Sequence, residues 1–152
     1  MDELSLRWRA AQQPAVAAAV LVRARRLREA IDAILTANAV GITLPRDSMR
    51  LLNAELGLAL ANARLQPATA GFAWQWAESL EALDRPLWPV VRSAADLLTS
   101  DELAHVHKCA GDTCGWLFVD RSRNHSRRWC DMNECGNVAK VRRYRTRRKR
   151  ES

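Results

Sequence analysis

Four cysteines in the last third of this 152-residue chain carry its most distinctive chemistry. Cys109 and Cys114 are separated by four residues, fifteen more intervene, and Cys130 and Cys135 repeat the four-residue spacer. Two short facing loops with two thiolates each supply the donor set zinc(II) prefers, a tetrahedron of soft or borderline ligands. Gly111 and Gly136 lie in or beside those loops, where the backbone must turn tightly. Four thiolates fill the coordination sphere, so one zinc ion on Cys109, Cys114, Cys130 and Cys135 is expected to be structural rather than catalytic. His105 and His107, just upstream, are the alternative ligands. His125 falls in an arginine-rich turn and suits solvent or a phosphate.

The arginines are the second feature. Residues 1–108 hold 12 Lys+Arg against 12 Asp+Glu, while 109–152 hold 12 against 5, so the whole net charge of +7 resides with the cysteines. Arg121, Arg123, Arg127 and Arg128 crowd the stretch between the cysteine pairs. Lys140, Arg142, Arg143, Arg145, Arg147, Arg148, Lys149 and Arg150 crowd the C-terminal stretch. Guanidinium forks grip phosphate oxygens two at a time and read guanine edges, so the arginine bias points to nucleic acid rather than to solubility alone. An acidic membrane surface is the weaker alternative. The turn arginines are expected on phosphates and the C-terminal ones in or beside a groove.

These side chains need a scaffold. Gly115 to Asp120 reads as a strand, Arg121 to Arg128 as a polar turn, Trp129 as the return, and the stretch after Cys135 as a helix through Lys140 and Tyr144. Knuckle, hairpin and a helix bearing the second ligand pair near its start is the order of a treble-clef-like zinc finger. So small a fragment cannot bury enough apolar area to fold alone, and zinc would supply on the order of 10 kcal/mol of its folding free energy.

Upstream, alanine and leucine dominate and helix prevails. Val16, Val20, Leu27, Ile31 and Ile34 predict a long amphipathic helix from Pro14 to about Ala37. Met49, Leu52, Leu56, Leu60 and Ala63 predict a second, with Arg50, Asn53, Glu55 and Asn62 on its polar side. Phe72, Trp74 and Trp76 alternate, and Arg64-Leu65-Gln66 supplies a partner strand across Pro67 to Gly71. Pro86 and Pro89 fit the opening of a third helix carrying Val90, Val91, Ala94, Leu97 and Leu98. Thr99-Ser100-Asp101-Glu102 has the form of a capping box. The six tryptophans are scattered among these elements and are expected in the core. The fold class is therefore mostly α with a small β-hairpin, an α-rich domain over 1–107 followed by the zinc finger over 108–152.

No stretch reaches the roughly 20 apolar residues of a membrane span, since Ala15 to Val22 runs into Arg23, and Asp2 and Glu3 do not open a signal peptide. The expected location is the cytoplasm, at the nucleoid, with no membrane partner; in that reducing compartment thiols serve as ligands rather than disulfides. Without repeats or a low-complexity linker, the two parts are expected to pack closely.

The tail, Cys109 to Cys114, then Gly115-Trp116-Leu117-Phe118-Val119-Asp120-Arg121-Ser122-Arg123-Asn124, Arg127-Arg128-Trp129-Cys130 and Cys135-Gly136-Asn137, resembles the CGNR-type zinc fingers of a bacterial family named for stress-induced transcription regulation. In that family the finger follows an α-rich region called the ABATE domain, and Leu83 to Leu98 looks like its closing helix. The resemblance implies DNA-binding regulation. Val138 stands where the family's name-giving arginine belongs, so that arginine's role is absent or moved to Lys140 or Arg142. The chain also starts near what looks like the family's second long helix. That implies an N-terminally shortened ABATE-like domain with an apolar face free for dimerisation.

The leading expectation is a zinc-dependent DNA-binding transcriptional regulator with a sensing or dimerising N-terminal domain. An RNA-binding or ribosome-associated zinc module is the alternative, since Arg-rich helices also bind structured RNA. A metal-dependent nuclease would need several histidines around a second metal, and no His follows Cys135, so no enzymatic activity is expected. Alanine-leucine helices carry no readable ligand chemistry, which leaves any small-molecule effector unnamed.

Overall fold

The computed structural model describes residues 3–77 and 82–150; the side chains of Lys149 and Arg150 lie outside the description. The chain divides into two compact units, one formed by the residues up to Ile34 with Pro45–Thr99, the other by Leu35–Leu44 with the residues from Ser100 on.

The first unit holds α1 (Glu3–Gln12), most of α2 (Pro14–Val40), α3 (Arg46–Ala61), the antiparallel hairpin of β1 (Ala63–Ala68) and β2 (Gly71–Trp76), and α4 (Leu87–Leu98). Pro14 opens α2 at the one place where its missing N–H costs nothing, and the amide of Ala17 bonds back to Gln13 O at 2.9 Å. α1 was not legible because Leu4, Leu6 and Trp8 alternate rather than follow a helical stripe, and none of its residues is buried. Pro86 caps α4 and Pro89 lies in its first turn, as expected.

Helical spacing selects the core. Leu27 and Ile34 of α2, Leu52 and Ala59 of α3, and Trp88, Val91 and Ala94 of α4 form one buried cluster. Each large member contributes about 1.5–3 kcal/mol relative to exposure. Val16 and Leu60, expected among them, are 48% and 42% exposed. Val16 precedes the core-facing stretch of α2, and Leu60 sits one position past the buried Ala59. The tryptophans also split: Trp88 is buried with Trp76 tilted against it at 6.1 Å, whereas Trp8, Trp74 and Trp116 are largely exposed. Their elements, a helix with no buried residue and two small hairpins, have too little neighbouring surface to cover an indole.

Glu55 departs most from expectation, being 8% exposed instead of on the polar side of α3. The Arg23 guanidinium of α2 grips it with Nε at 3.0 Å and Nη2 at 2.7 Å, and gives Nη1 to Asp84 at 3.1 Å. Glu55, and after it Asp84, raises the Arg23 pKa further above its ordinary value. This bidentate pair joins three separate parts of the unit in a geometry lysine could not reproduce.

The second unit contains a short 3-10 turn (Asp101–His105), β3 (Val106–Lys108), β4 (Leu117–Val119), a π-turn (Met132–Gly136) and α5 (Asn137–Arg150). Among the described residues no helix is long and apolar enough to cross a membrane. The partner of β4 is β3, in the register Val106↔Val119 to Lys108↔Leu117, and not the expected return at Trp129. The first cysteine pair therefore forms the tip of the hairpin. Glu102 does not close a capping box; its carboxylate receives the Arg121 Nε and Nη2 at 2.8 and 3.1 Å.

Glu55→Ala is expected to lower the unfolding free energy by about 2–4 kcal/mol, because it strands a half-buried guanidinium. Urea denaturation should register that loss, and Arg23→Met combined with Glu55→Leu should recover most of it.

Candidate metal centre

The two cysteine pairs meet. All four sulfurs lie within 4.8 Å of one another, with Cys130 Sγ 3.7 Å from both Cys114 Sγ and Cys135 Sγ. A tetrahedron with Zn–S bonds of about 2.3 Å has its sulfurs about 3.8 Å apart, which the two 3.7 Å separations match, so the cluster is of the size to hold one zinc ion. The cluster includes neither His105 nor His107.

Local backbone chemistry sets this geometry. Cys109 N donates to Trp116 O at 2.9 Å, closing the hairpin around the first knuckle, and Cys114 N bonds Gly111 O at 3.0 Å within it. A Cβ on Gly111 would stand 3.1 Å from Cys114 Cβ, so a side chain there would push on a ligand-bearing residue, while Cys135 Sγ at 3.5 Å would be in ordinary contact. At the second pair, Asp131 caps the π-turn by accepting from the amides of Asn133 and Glu134 at 2.7 and 3.1 Å. The turn then delivers Cys135 directly into α5, so a metal ligand immediately precedes the basic helix.

The thiols are unequal. Burial pushes the Cys109 thiol up, but hydrogen bonds to its sulfur, first from the Cys130 and Gly111 backbones, bring it down to about 7. Cys130 is raised, first by burial, and Cys135 is pushed up to about 12 by the side chains of Cys130 and Cys114. The Cys109 thiolate forms readily, whereas a cation among the sulfurs is what would favour ionised Cys130 and Cys135.

Asp120 went unnoticed in the sequence, where it reads as the end of a strand. It is fully buried. One carboxylate oxygen accepts the Ser122 amide and the other the Arg127 amide, both at 2.8 Å, and its backbone oxygen lies 3.0 Å from His125 Nδ1. Hydrogen bonds from Ser122 above all hold its carboxyl down at about 2, so it stays charged wherever zinc thiolates persist. The arginine turn is thus a loop wrapped on a carboxylate. It includes His125 at φ 45°, whose ring stacks on His105 with centroids 3.9 Å apart. An Asp followed by Ser two residues on is the only sequence trace of this device.

The basic side chains divide into two groups. Arg121 is paired with Glu102. Arg127 gives Nε to Trp129 O at 2.8 Å and Nη2 to Cys130 O, with its guanidinium 4.9 Å from the Phe118 centroid. Arg142 reaches from α5 to Asp112 in the first knuckle. These three fasten the finger. Arg128 lies over the Trp129 ring at 5.3 Å, while Arg123, Lys140, Arg143, Arg145, Arg147 and Arg148 are exposed.

The family model for the CGNR zinc finger matches residues 105–148, and that for ABATE, described as "Putative stress-induced transcription regulator", matches residues 3–101. The chain belongs to the ABATE family. A search of curated proteins finds no match. In this ABATE chain the finger's name-giving tetrad reads Cys135-Gly136-Asn137-Val138. Val138, 54% exposed, lines a cleft of about 160 Å³ beside the knuckle, together with Arg142 one helical turn on. Of the two residues expected to take over from the missing arginine, Arg142 is the one tied to the knuckle.

Any single Cys→Ser substitution is expected to abolish stoichiometric zinc, and chelation to release exchange protection over 106–136 while the helical signal of the first unit persists; hydrogen exchange and circular dichroism report both. Gly111→Ala should weaken zinc binding about 10–100-fold, the range for lost ligand-orienting contacts, in a chelator competition.

Proposed function

We propose that this ABATE protein is a zinc-dependent DNA-binding transcriptional regulator, its finger engaging duplex DNA and its helical unit sensing a signal or dimerising. The observation that carries the reading is the disposition of α5. From Lys140 to Arg148 every residue of the helix is exposed. At 100° per residue Lys140, Arg143, Arg145, Arg147 and Arg148 cover the circumference except on the side where Arg142 turns to Asp112. A helix that is basic on every other side is suited to a site that wraps most of it, and the B-DNA major groove admits one helix with phosphates on both walls. The deep, narrow major groove of A-form RNA does not, which favours DNA over the RNA reading.

The division of the arginines refines the contact set. Arg123 and Arg128 in the turn, and Lys140, Arg143, Arg145, Arg147 and Arg148 on α5, are assigned to nucleic acid. Arg121, Arg127 and Arg142 hold the surface in shape. Four thiolates leave no coordination position for water or substrate, so the reading is of a binding protein rather than an enzyme.

Gel shifts of the zinc-loaded chain at graded salt test this. With about five phosphates neutralised, log affinity should fall against log salt at a slope near −4 to −5. Charge reversal at Arg143, Arg145 and Arg147 should abolish binding with zinc retained. Undiminished binding by that variant, or preferential competition by structured RNA over duplex DNA, defeats the reading.

A further inference from the structure

The β1–β2 hairpin takes no part in the metal centre or the basic surface, and among the described residues no strand covers its outer edge. Ala77 N donates to Asn62 O at 2.7 Å, and the pairing runs on from there as Ala63↔Trp76 through Ala68↔Gly71. Bonded and non-bonded pairs alternate in an antiparallel ladder, so Arg64/Gln75, Gln66/Ala73 and Ala68/Gly71 share the internal bonds. The N–H and C=O groups of Phe72, Trp74 and Trp76 therefore point away from β1, along an edge that no described strand covers. On the β1 side, Pro67 removes a donor, a device that blunts strand addition. β2, Gly71-Phe72-Ala73-Trp74-Gln75-Trp76, has no such device and no charged residue.

The period of two places Phe72, Trp74 and Trp76 on one face, with Leu65 and Pro67 opposite. Phe72, Leu65 and Trp74 remain 74%, 59% and 47% exposed, and Trp74 is covered on one side by the Arg92 guanidinium 4.4 Å away. A lone two-stranded hairpin is marginal in water.

The geometry points to a second copy of this chain as the missing strand: β2 pairs antiparallel with β2 of the other copy about a two-fold axis through Trp74. In that register Trp74 faces its own counterpart and Phe72 of each copy faces Trp76 of the other. Every open donor then meets an acceptor, and six aromatic side chains line one face of a four-stranded sheet. A slip of one residue misplaces the donors and sets the aromatics against Ala73 and Gln75. A foreign peptide could satisfy the same backbone groups, but β2 already supplies its own complement, donor for acceptor and aromatic for aromatic, with no charge to repel it. Only surface still open in the monomer counts, and with Trp74 partly covered by Arg92 and Trp76 packed on Trp88 the contact stays below the roughly 1,200–2,000 Å² of standard specific interfaces. The dimer is therefore weak and concentration-dependent.

Sedimentation velocity of the zinc-loaded full chain over a concentration series should show a mass rising from 17.1 kDa toward twice that value. Phe72→Lys, at a position exposed in the monomer, should stay folded by circular dichroism and remain monomeric. Opposed residues in a bonded pair have Cα atoms about 5.5 Å apart, within disulfide reach. Trp74→Cys should thus give an intermolecular bridge at residue 74, located by peptide mass mapping, and Gln75→Cys should not. A chain monomeric throughout, a dimer untouched by Phe72→Lys, or the same bridge from Gln75→Cys overturns the proposal.

Discussion

Four sulfurs crowded into a space less than 5 Å across cannot all carry charge unless a cation sits among them, and everything in the C-terminal unit depends on that constraint. β3 and β4 are three residues each, and few residues of the unit are buried. No apolar core of that size would set the hairpin tip against the start of α5. The Cys130 amide, 3.3 Å from Cys109 Sγ, marks how closely the two halves are drawn together. Zinc is thus the interior of the finger, and the arginines are presented on a shape that the ion and Asp120 define.

A basic composition does not translate directly into a binding surface. Arg121, Arg127 and Arg142 satisfy Glu102, two backbone carbonyls and Asp112, work that other domains assign to capping residues or apolar contacts. Their charge still adds to the local field, but one or two nitrogens of each are already engaged within the finger. Composition counts charge; only geometry separates side chains that hold the finger from the other exposed basic side chains.

The metal ligands, the three principal helices and the upstream hairpin were legible because each rests on spacing: four residues between thiols, three or four between core-facing side chains, two between strand aromatics. What escaped depends on long-range partners. Glu55 looks like any polar helix residue until Arg23, 32 positions away, meets it. The pairing of β3 escaped because three residues, though His105 and His107 suit one face of a strand, carry too little pattern to choose a partner, leaving Trp129 as the apparent return. Asp120 escaped because its acceptors serve backbone amides, which no side-chain motif reports. The tryptophans misled through size, since a residue type usually buried says little when its element lacks a neighbour to cover it.

Cys135 leads directly into α5, and this has a thermodynamic consequence. A ligand that grips the exposed length of the helix and a metal held at its root act on the same ordered state, so their affinities are linked. Whatever factor zinc contributes to binding along α5, occupancy of α5 returns to zinc. Arg142, joining helix to knuckle, lies on the path between them. The finger would then retain its ion most strongly when its helix is engaged, and a chain whose helix is free would be the first to yield zinc to a competing chelator.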